Sequence, residues 1–379
     1  MTTQVNQAQR MTYIDNLRLF LILMMILHHV CLTYATHSGW YFYEYIDDPF
    51  TNLFMNLLMS LGRAWVIGCF FMISGYFTPG SLDKKGTWDF IKDRLIRIGI
   101  PLAIFMFLIR PTLFYMMNRD ALSSRYTWLE NIFLLKNVAP GPAWFLEVLL
   151  VFSVFYALWS CMRKVRNADE DRQQPFANNR NILIFIIALA FFTFLIRIFL
   201  PIDKQVLHLR LGNYAVYVAF FAAGIIAYRR RWPDKITNII GRQWTIITLA
   251  ATCIYAFFVV SAWSSNKSLS FLGGGLSGKT LIATYVETFI AVGSAISLLY
   301  IFRKIFNGQP GFIRKMSQDA YAVFIFHPPI IVATSCFMQG KLLENPFFKF
   351  VFVFVSGTAL SFLACRFVVR RLPFAQKIL

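Results

Sequence analysis

The stretch RLFLILMMILHHVCLTYAT, residues 18–36, decides how this chain is read. It opens on Arg18 and continues as an apolar run that carries two histidines, His28 and His29, in its second half. At about 1.5 Å and 100° per residue, Arg18 and His29 lie about 16 Å apart along a helix and about 20° apart around it, so they share a face. His28 is turned about 80° from Arg18, toward packing or an outer pathway. An ionisable side chain within hydrocarbon costs at least about 2.5 kcal/mol unless it is paired or wet. His29 therefore marks either a functional site or a bond to a neighbouring helix.

Working outward, the same kind of run recurs. Of 379 residues, 58% are hydrophobic and 17% aromatic, and mean hydropathy is +0.57. That excludes a soluble domain with a polar surface. Runs of about 20 apolar residues, the length that crosses a hydrocarbon core of about 30 Å, fall near 19–36, 57–77, 97–117, 143–161, 181–201, 213–228, 243–262, 280–302, 320–338 and 347–368. The expected fold is all-α: a polytopic membrane protein, a bundle of about ten transmembrane helices, read as one domain over 1–379. The first run is longer than a signal-peptide core and reads as a retained span.

The net charge of +19 raises the question of nucleic acid, and its placement answers it. Assigning the connecting segments alternately to two sides puts 25 of the 37 Lys and Arg on the side of the termini and nine opposite, with Arg63, Arg110 and Arg197 inside spans. This asymmetry predicts cytoplasmic termini and membrane lipids, not nucleic acid, as partners of the basic residues. Six scattered cysteines suggest neither a disulfide framework nor a zinc site. GGGLSGKT, Gly273 to Thr280, fits the phosphate-cradling loop pattern, yet it joins two spans on the predicted outer face without a preceding strand. It reads as a glycine turn.

Ionisable groups inside spans are few: Glu147 and Glu287 among the carboxylates, and His28, His29 and His327 among the histidines. A neutral imidazole can take a proton from a hydroxyl, and a carboxylate or carbonyl can fix its tautomer. Glu287 matches His29 in expected depth, with Glu147 as the second candidate partner. On the cytoplasmic side Arg94 and Arg97 stand three apart on one helical face, at the membrane level of Arg18, a spacing that suits a phosphate-bearing ligand or lipid headgroups.

Together these segments resemble the acyltransferase-3 family of bacterial integral-membrane acyltransferases. The likeness is carried by Tyr13-Ile-Asp-Asn-Leu-Arg18 followed by ten residues and His29, by FFMISGYF at Phe70 to Phe77, and by Arg94-Leu-Ile-Arg97 with Pro101 close behind. Trp144-Phe-Leu and the run from Ser317 through Tyr321 to His327-Pro328 are weaker parts of it. The resemblance implies transfer of an acyl group, acetyl or succinyl, from cytoplasmic acyl-CoA to a hydroxyl of a cell-envelope carbohydrate at the outer face of the bacterial inner membrane. It implies His29 as the catalytic residue and Arg18, Arg94 and Arg97 as the donor's contacts, with acyl-CoA as co-substrate and no tightly bound cofactor. The region from Arg63 to Phe77 is most similar to a glucan-modifying subgroup. Trp144 and Tyr321 are candidate hydrogen-bond donors to a developing oxyanion, and they join His327 as candidate substrate contacts. A transporter or acyl-translocating protein using the same polar residues is the alternative from a different class. Oligomeric state is open.

Overall fold

The computed structural model describes residues 11–35, 40–44, 47–117, 130, 138–162, 175–202, 204–206, 208–265, 272–340, 345–373 and 375–378. Ten helices among them are long and apolar enough to cross a membrane. They are α1 (Thr12–Tyr34), α2 (Pro49–Lys85), α3 (Thr87–Met117), α4 (Trp144–Met162), α5 (Asn179–Phe199), α6 (Tyr214–Arg230), α7 (Asn238–Ser264), α8 (Gly278–Lys304), α9 (Gly311–Met338) and α10 (Pro346–Phe367). No strand occurs among the described residues. The all-α bundle expected from hydropathy is present, span for span. An even number of crossings returns the chain to the face from which α1 starts, here called the terminal face.

Helix ends follow local chemistry rather than hydropathy. α1 begins at Thr12, seven residues before the apolar run, and places Arg18 inside the helix. α2 runs 37 residues. Its start is capped by Asp48, whose carboxylate accepts from the Thr51 amide and hydroxyl at 2.7 and 2.5 Å, and Pro49 takes the first position, where no amide is needed. Those two bonds from Thr51 hold the Asp48 carboxyl below its ordinary range. α3 stays continuous through two prolines by widening into π turns at Leu95–Gly99 and Phe105–Ile109. Pro101 and Pro111 offer no amide to the carbonyls of Arg97 and Phe107 four residues earlier, and the wide turns absorb the misfit.

α1, α8 and α9 are the most deeply buried of the ten, and α1 is packed by α2, α8, α9 and α10. α5 and α7 turn Phe191, Phe192, Leu249, Phe257 and Phe258 outward, as a lipid-facing surface requires. α2 and α6 meet backbone to backbone: a Cβ on Gly75 would collide with the Phe221 carbonyl, and one on Gly224 with the Met72 carbonyl. The glycine run before α8 is a packed turn. Ile202 N–H donates to the Gly273 carbonyl at 2.6 Å, Gly275 N–H donates to the Arg197 carbonyl at 3.1 Å, and the Ser277 hydroxyl caps α8 at the Thr280 amide. The first part of the run is thus fastened against the end of α5.

At the terminal face, α1 is locked to the segment that leads into α9. The Asn16 amide donates to the carbonyls of Phe306 and Gly308 at 2.7 and 2.9 Å, and Gln309 donates to both Asn16 and the Ser317 hydroxyl at 3.1 Å. This tie fixes how α1 and α9 register, and both helices carry a histidine further along.

Candidate active site

Those two histidines meet. His29 Nδ1 lies 2.8 Å from His327 Nε2, with ring centroids 4.9 Å apart and planes 25° apart, a nearly side-by-side hydrogen bond. The sequence of α9 explains its polarity. Pro328 has no amide for the Phe324 carbonyl. His327 Nδ1 fills that vacancy, 2.9 Å from the Phe324 oxygen and 3.1 Å from that of Val323. A nitrogen facing two carbonyls must carry its proton, so His327 Nε2 presents a lone pair. His29 Nδ1–H therefore donates to it, and His29 Nε2 is left as the basic nitrogen. His327 is wholly buried, whereas His29 is half-buried.

His29 sits 17 residues from the start of α1, about 26 Å along the helix, and about 8 Å before its end at Tyr34. Because α1 starts earlier than its apolar run, the imidazole is farther from the near end of its helix than hydropathy placed it. Arg18, on the same face, is about 16 Å back toward the terminal face.

The carboxylates go elsewhere. Glu287 is held by Arg197 at 2.8 Å, by Arg63 at 3.2 Å and by the Tyr255 hydroxyl at 3.0 Å, while Arg197 also reaches Thr284 and Asn213. This is a buried ion cluster tying α8 to α2, α5 and α7. The expected depth match between Glu287 and His29 gave the wrong pairing, because the buried guanidinium of Arg197 and the half-buried one of Arg63 in the same layer need that carboxylate more. Glu147 is bonded by His208 Nε2 at 3.1 Å, so it too is engaged away from His29. His327, expected as a substrate contact, is the partner of His29.

Among the basic residues, Arg18 stacks over the Phe77 ring at 5.2 Å and pairs with Asp15 at 3.6 Å. Arg97 pairs with Asp93 at 3.1 Å, and Lys85 reaches the same carboxylate at 2.7 Å. Arg94 lies over the Phe90 ring at 4.7 Å, and its buried Nε–H has no acceptor among the described residues. Tyr321, expected as an oxyanion donor, gives its hydroxyl to the Arg97 carbonyl at 2.5 Å, the carbonyl that Pro101 leaves without an amide. Trp144 packs on Phe71 and Tyr217, with centroids 6.5 and 5.6 Å away.

One neighbour of His29 carries no helical signal in the sequence. Trp40 lies beyond α1 and stacks on the His29 ring, 4.6 Å between centroids and 12° between planes. It begins a short strap, residues 40–44, that the Glu44 amide ties to the Thr33 carbonyl at 3.0 Å and the Glu44 carboxylate ties to Lys349 of α10 at 2.5 Å. Glu44 is thus a structural anchor. In the strap, burial holds the Tyr41 phenol well above its ordinary range, with Arg110 opposing the shift.

The fold is thus a ten-helix membrane bundle in which a histidine of α1 is joined to a histidine of α9. The family model described as an acyltransferase domain, that of the acyltransferase-3 family, matches residues 11–366, and the chain belongs to this family of membrane acyltransferases. Among its relatives are the proteins named glucans biosynthesis protein C of Salmonella agona (strain SL483), Salmonella paratyphi A (strain ATCC 9150 / SARB42) and Salmonella enteritidis PT4 (strain P125109). Each is 21% identical to this chain over 364 residues, covering 93% of this chain and 91% of its own length. No solved structure matches the chain.

Proposed function

We propose that the protein transfers an acyl group from acyl-CoA on the cytoplasmic side of a bacterial inner membrane to a hydroxyl of a cell-envelope carbohydrate, with His29 Nε2 as general base. The observation that carries this reading is the bond from His29 Nδ1 to His327 Nε2, which leaves the second nitrogen of a half-buried imidazole basic and directed away from its partner. The acceptor hydroxyl attacks the thioester carbon as His29 Nε2 takes its proton. The tetrahedral centre collapses, the carbon–sulfur bond breaks, and the imidazolium returns the proton to the leaving thiolate, giving the ester and free coenzyme A. His327 accepts a hydrogen bond from His29 throughout and steadies the cation as it forms.

The donor's phosphates rest on Arg94, Arg97 and Arg18. The unpaired Nε–H of Arg94 is a donor waiting for an anion, and the Phe90 and Phe77 rings hold two of the guanidiniums in fixed planes. About 16 Å of helix between Arg18 and His29 suits an extended pantetheine arm. A carbohydrate acceptor, and a glucan in particular, follows from the relatives' name.

The test is purified protein in detergent with radiolabelled acetyl- or succinyl-CoA and extracted cell-envelope glucans. Acceptor-dependent release of coenzyme A with label on the glucan supports the reading, and His29→Ala abolishes it. Movement of label into sealed vesicles without thioester cleavage sinks it in favour of transport.

A further inference from the structure

The indole Nε1–H of Trp40 is buried and has no hydrogen-bond partner among the described residues. A buried donor left unpaired costs about 1–3 kcal/mol, so an orphan of this kind calls for a cause. Its position supplies one. Trp40 is stacked on His29, nearly parallel at 4.6 Å, and the strap that bears it is fastened at Thr33 and at Lys349, so the indole is held rather than drifting. The in-plane contact of His29 with His327 uses the Nδ1 edge, so reacting atoms approach at Nε2, under the cover of the indole. The two donors expected from the sequence are engaged in other contacts: Tyr321 donates to the Arg97 carbonyl, and Trp144 packs with Phe71 and Tyr217.

We infer that Trp40 is a catalytic residue whose Nε1–H donates to the thioester carbonyl oxygen as that oxygen gains negative charge. The inference rests on the reading of His29 as the base. When the acceptor oxygen attacks, the carbonyl π pair moves onto oxygen and Trp40 Nε1–H bonds to it, while His29 Nε2 takes the acceptor's proton. On collapse the pair re-forms the carbonyl, the carbon–sulfur bond breaks, and His29 delivers the proton to sulfur. The carbonyl oxygen is two bonds from the attacking oxygen, so a base and a donor on adjacent stacked rings serve the two oxygens together. An N–H unpaired at rest is preorganised for this, because no existing bond has to break as charge develops.

The experiment replaces Trp40 with β-(3-benzothienyl)alanine by amber suppression, which keeps the fused ring and removes only the N–H, and compares Trp40→Phe. Wild type and His29→Ala are run alongside, with acetyl- and succinyl-CoA and cell-envelope glucans. The expected result is a fall in kcat of about 10²–10³-fold for the sulfur isostere, the loss seen when an oxyanion donor is removed, with the donor KM unchanged. Trp40→Phe should fall at least as far. Full turnover by the isostere, or a loss that appears only in the donor KM, overturns the role of Trp40 while His29→Ala remains dead. Turnover by His29→Ala at the wild-type rate instead overturns the reading of the base.

Discussion

The imidazoles of His29 and His327 are joined edge to edge, with 2.8 Å between Nδ1 of the first and Nε2 of the second. The direction of that bond is set by a proline. Pro328 withholds an amide from the Phe324 carbonyl, His327 Nδ1–H takes its place, and the lone pair this leaves on His327 Nε2 draws the proton of His29 to Nδ1.

His327→Ala should lower kcat by about 10²-fold or more, the usual range for a misoriented or wrongly tautomeric base, without changing donor affinity. His327→Gln should restore part of the loss, since its amide oxygen accepts the same proton. Steady-state kinetics beside equilibrium binding of coenzyme A decide it, and an alanine variant as fast as wild type would remove His327 from the site.

Pro328→Ala should separate activity from stability. It gives the Phe324 carbonyl a backbone donor that competes with His327 Nδ1–H, loosening the tautomer. A loss of about 1 kcal/mol, one net hydrogen bond, lowers the rate about fivefold. The melting temperature in detergent should hold or rise, because a helix-interior proline is removed.

Glu287→Ala should behave in the opposite way. It leaves Arg63 and Arg197 facing each other in the buried cluster, and breaking such a cluster costs about 3–5 kcal/mol. Thermal melting followed by tryptophan fluorescence should show a large drop, whereas His29→Ala should melt like wild type. Equal melting of Glu287→Ala and wild type would refute the structural role.

Asn16→Leu should act at a distance. It cuts the bonds to Phe306, Gly308 and Gln309, about 2–3 kcal/mol in all. Because that tie sets the register of α1 against α9, turnover should fall while the donor KM changes little. A variant of normal kcat would show that the histidine pair aligns without it.

Arg94→Gln and Arg97→Gln should each weaken coenzyme A binding by about 1.5–3 kcal/mol, tenfold or more, with the effect shrinking at high salt. Isothermal titration at two ionic strengths measures both features. Unchanged affinity would move the phosphate site elsewhere.

Hydropathy made the ten spans legible, because hydrocarbon admits few alternatives to a long apolar helix. It misplaced helix ends wherever a polar segment stays helical, as at Thr12–Arg18 and beyond Phe77 in α2. His29 and the arginines could be singled out because ionisable groups are rare in such sequence. The partner of His29 could not be found by depth alone: Glu287 and His327 both lie in plausible layers, and only packing shows that Arg197 and Arg63 claim the carboxylate. The His327-Pro328 pair did hold a readable signal, since a proline frees a carbonyl for a neighbour with a proton to give. Trp40 held none, being one aromatic residue among the 17% that the chain contains.

Under the proposed function, the clasp between the Tyr321 hydroxyl and the Arg97 carbonyl bears on which thioesters could serve as donor. Six residues, about 9 Å of helix, separate Tyr321 from His327, so the arginine turn of α3 and the histidine of α9 belong to one frame. If the donor seats its phosphates at one end and meets the base at the other, as the proposed function has it, the frame would act as a gauge. It would meter the reach of the donor's arm and set the reacting carbon at a fixed mark, so the acyl chain beyond that mark would be free to vary while the distance behind it would not.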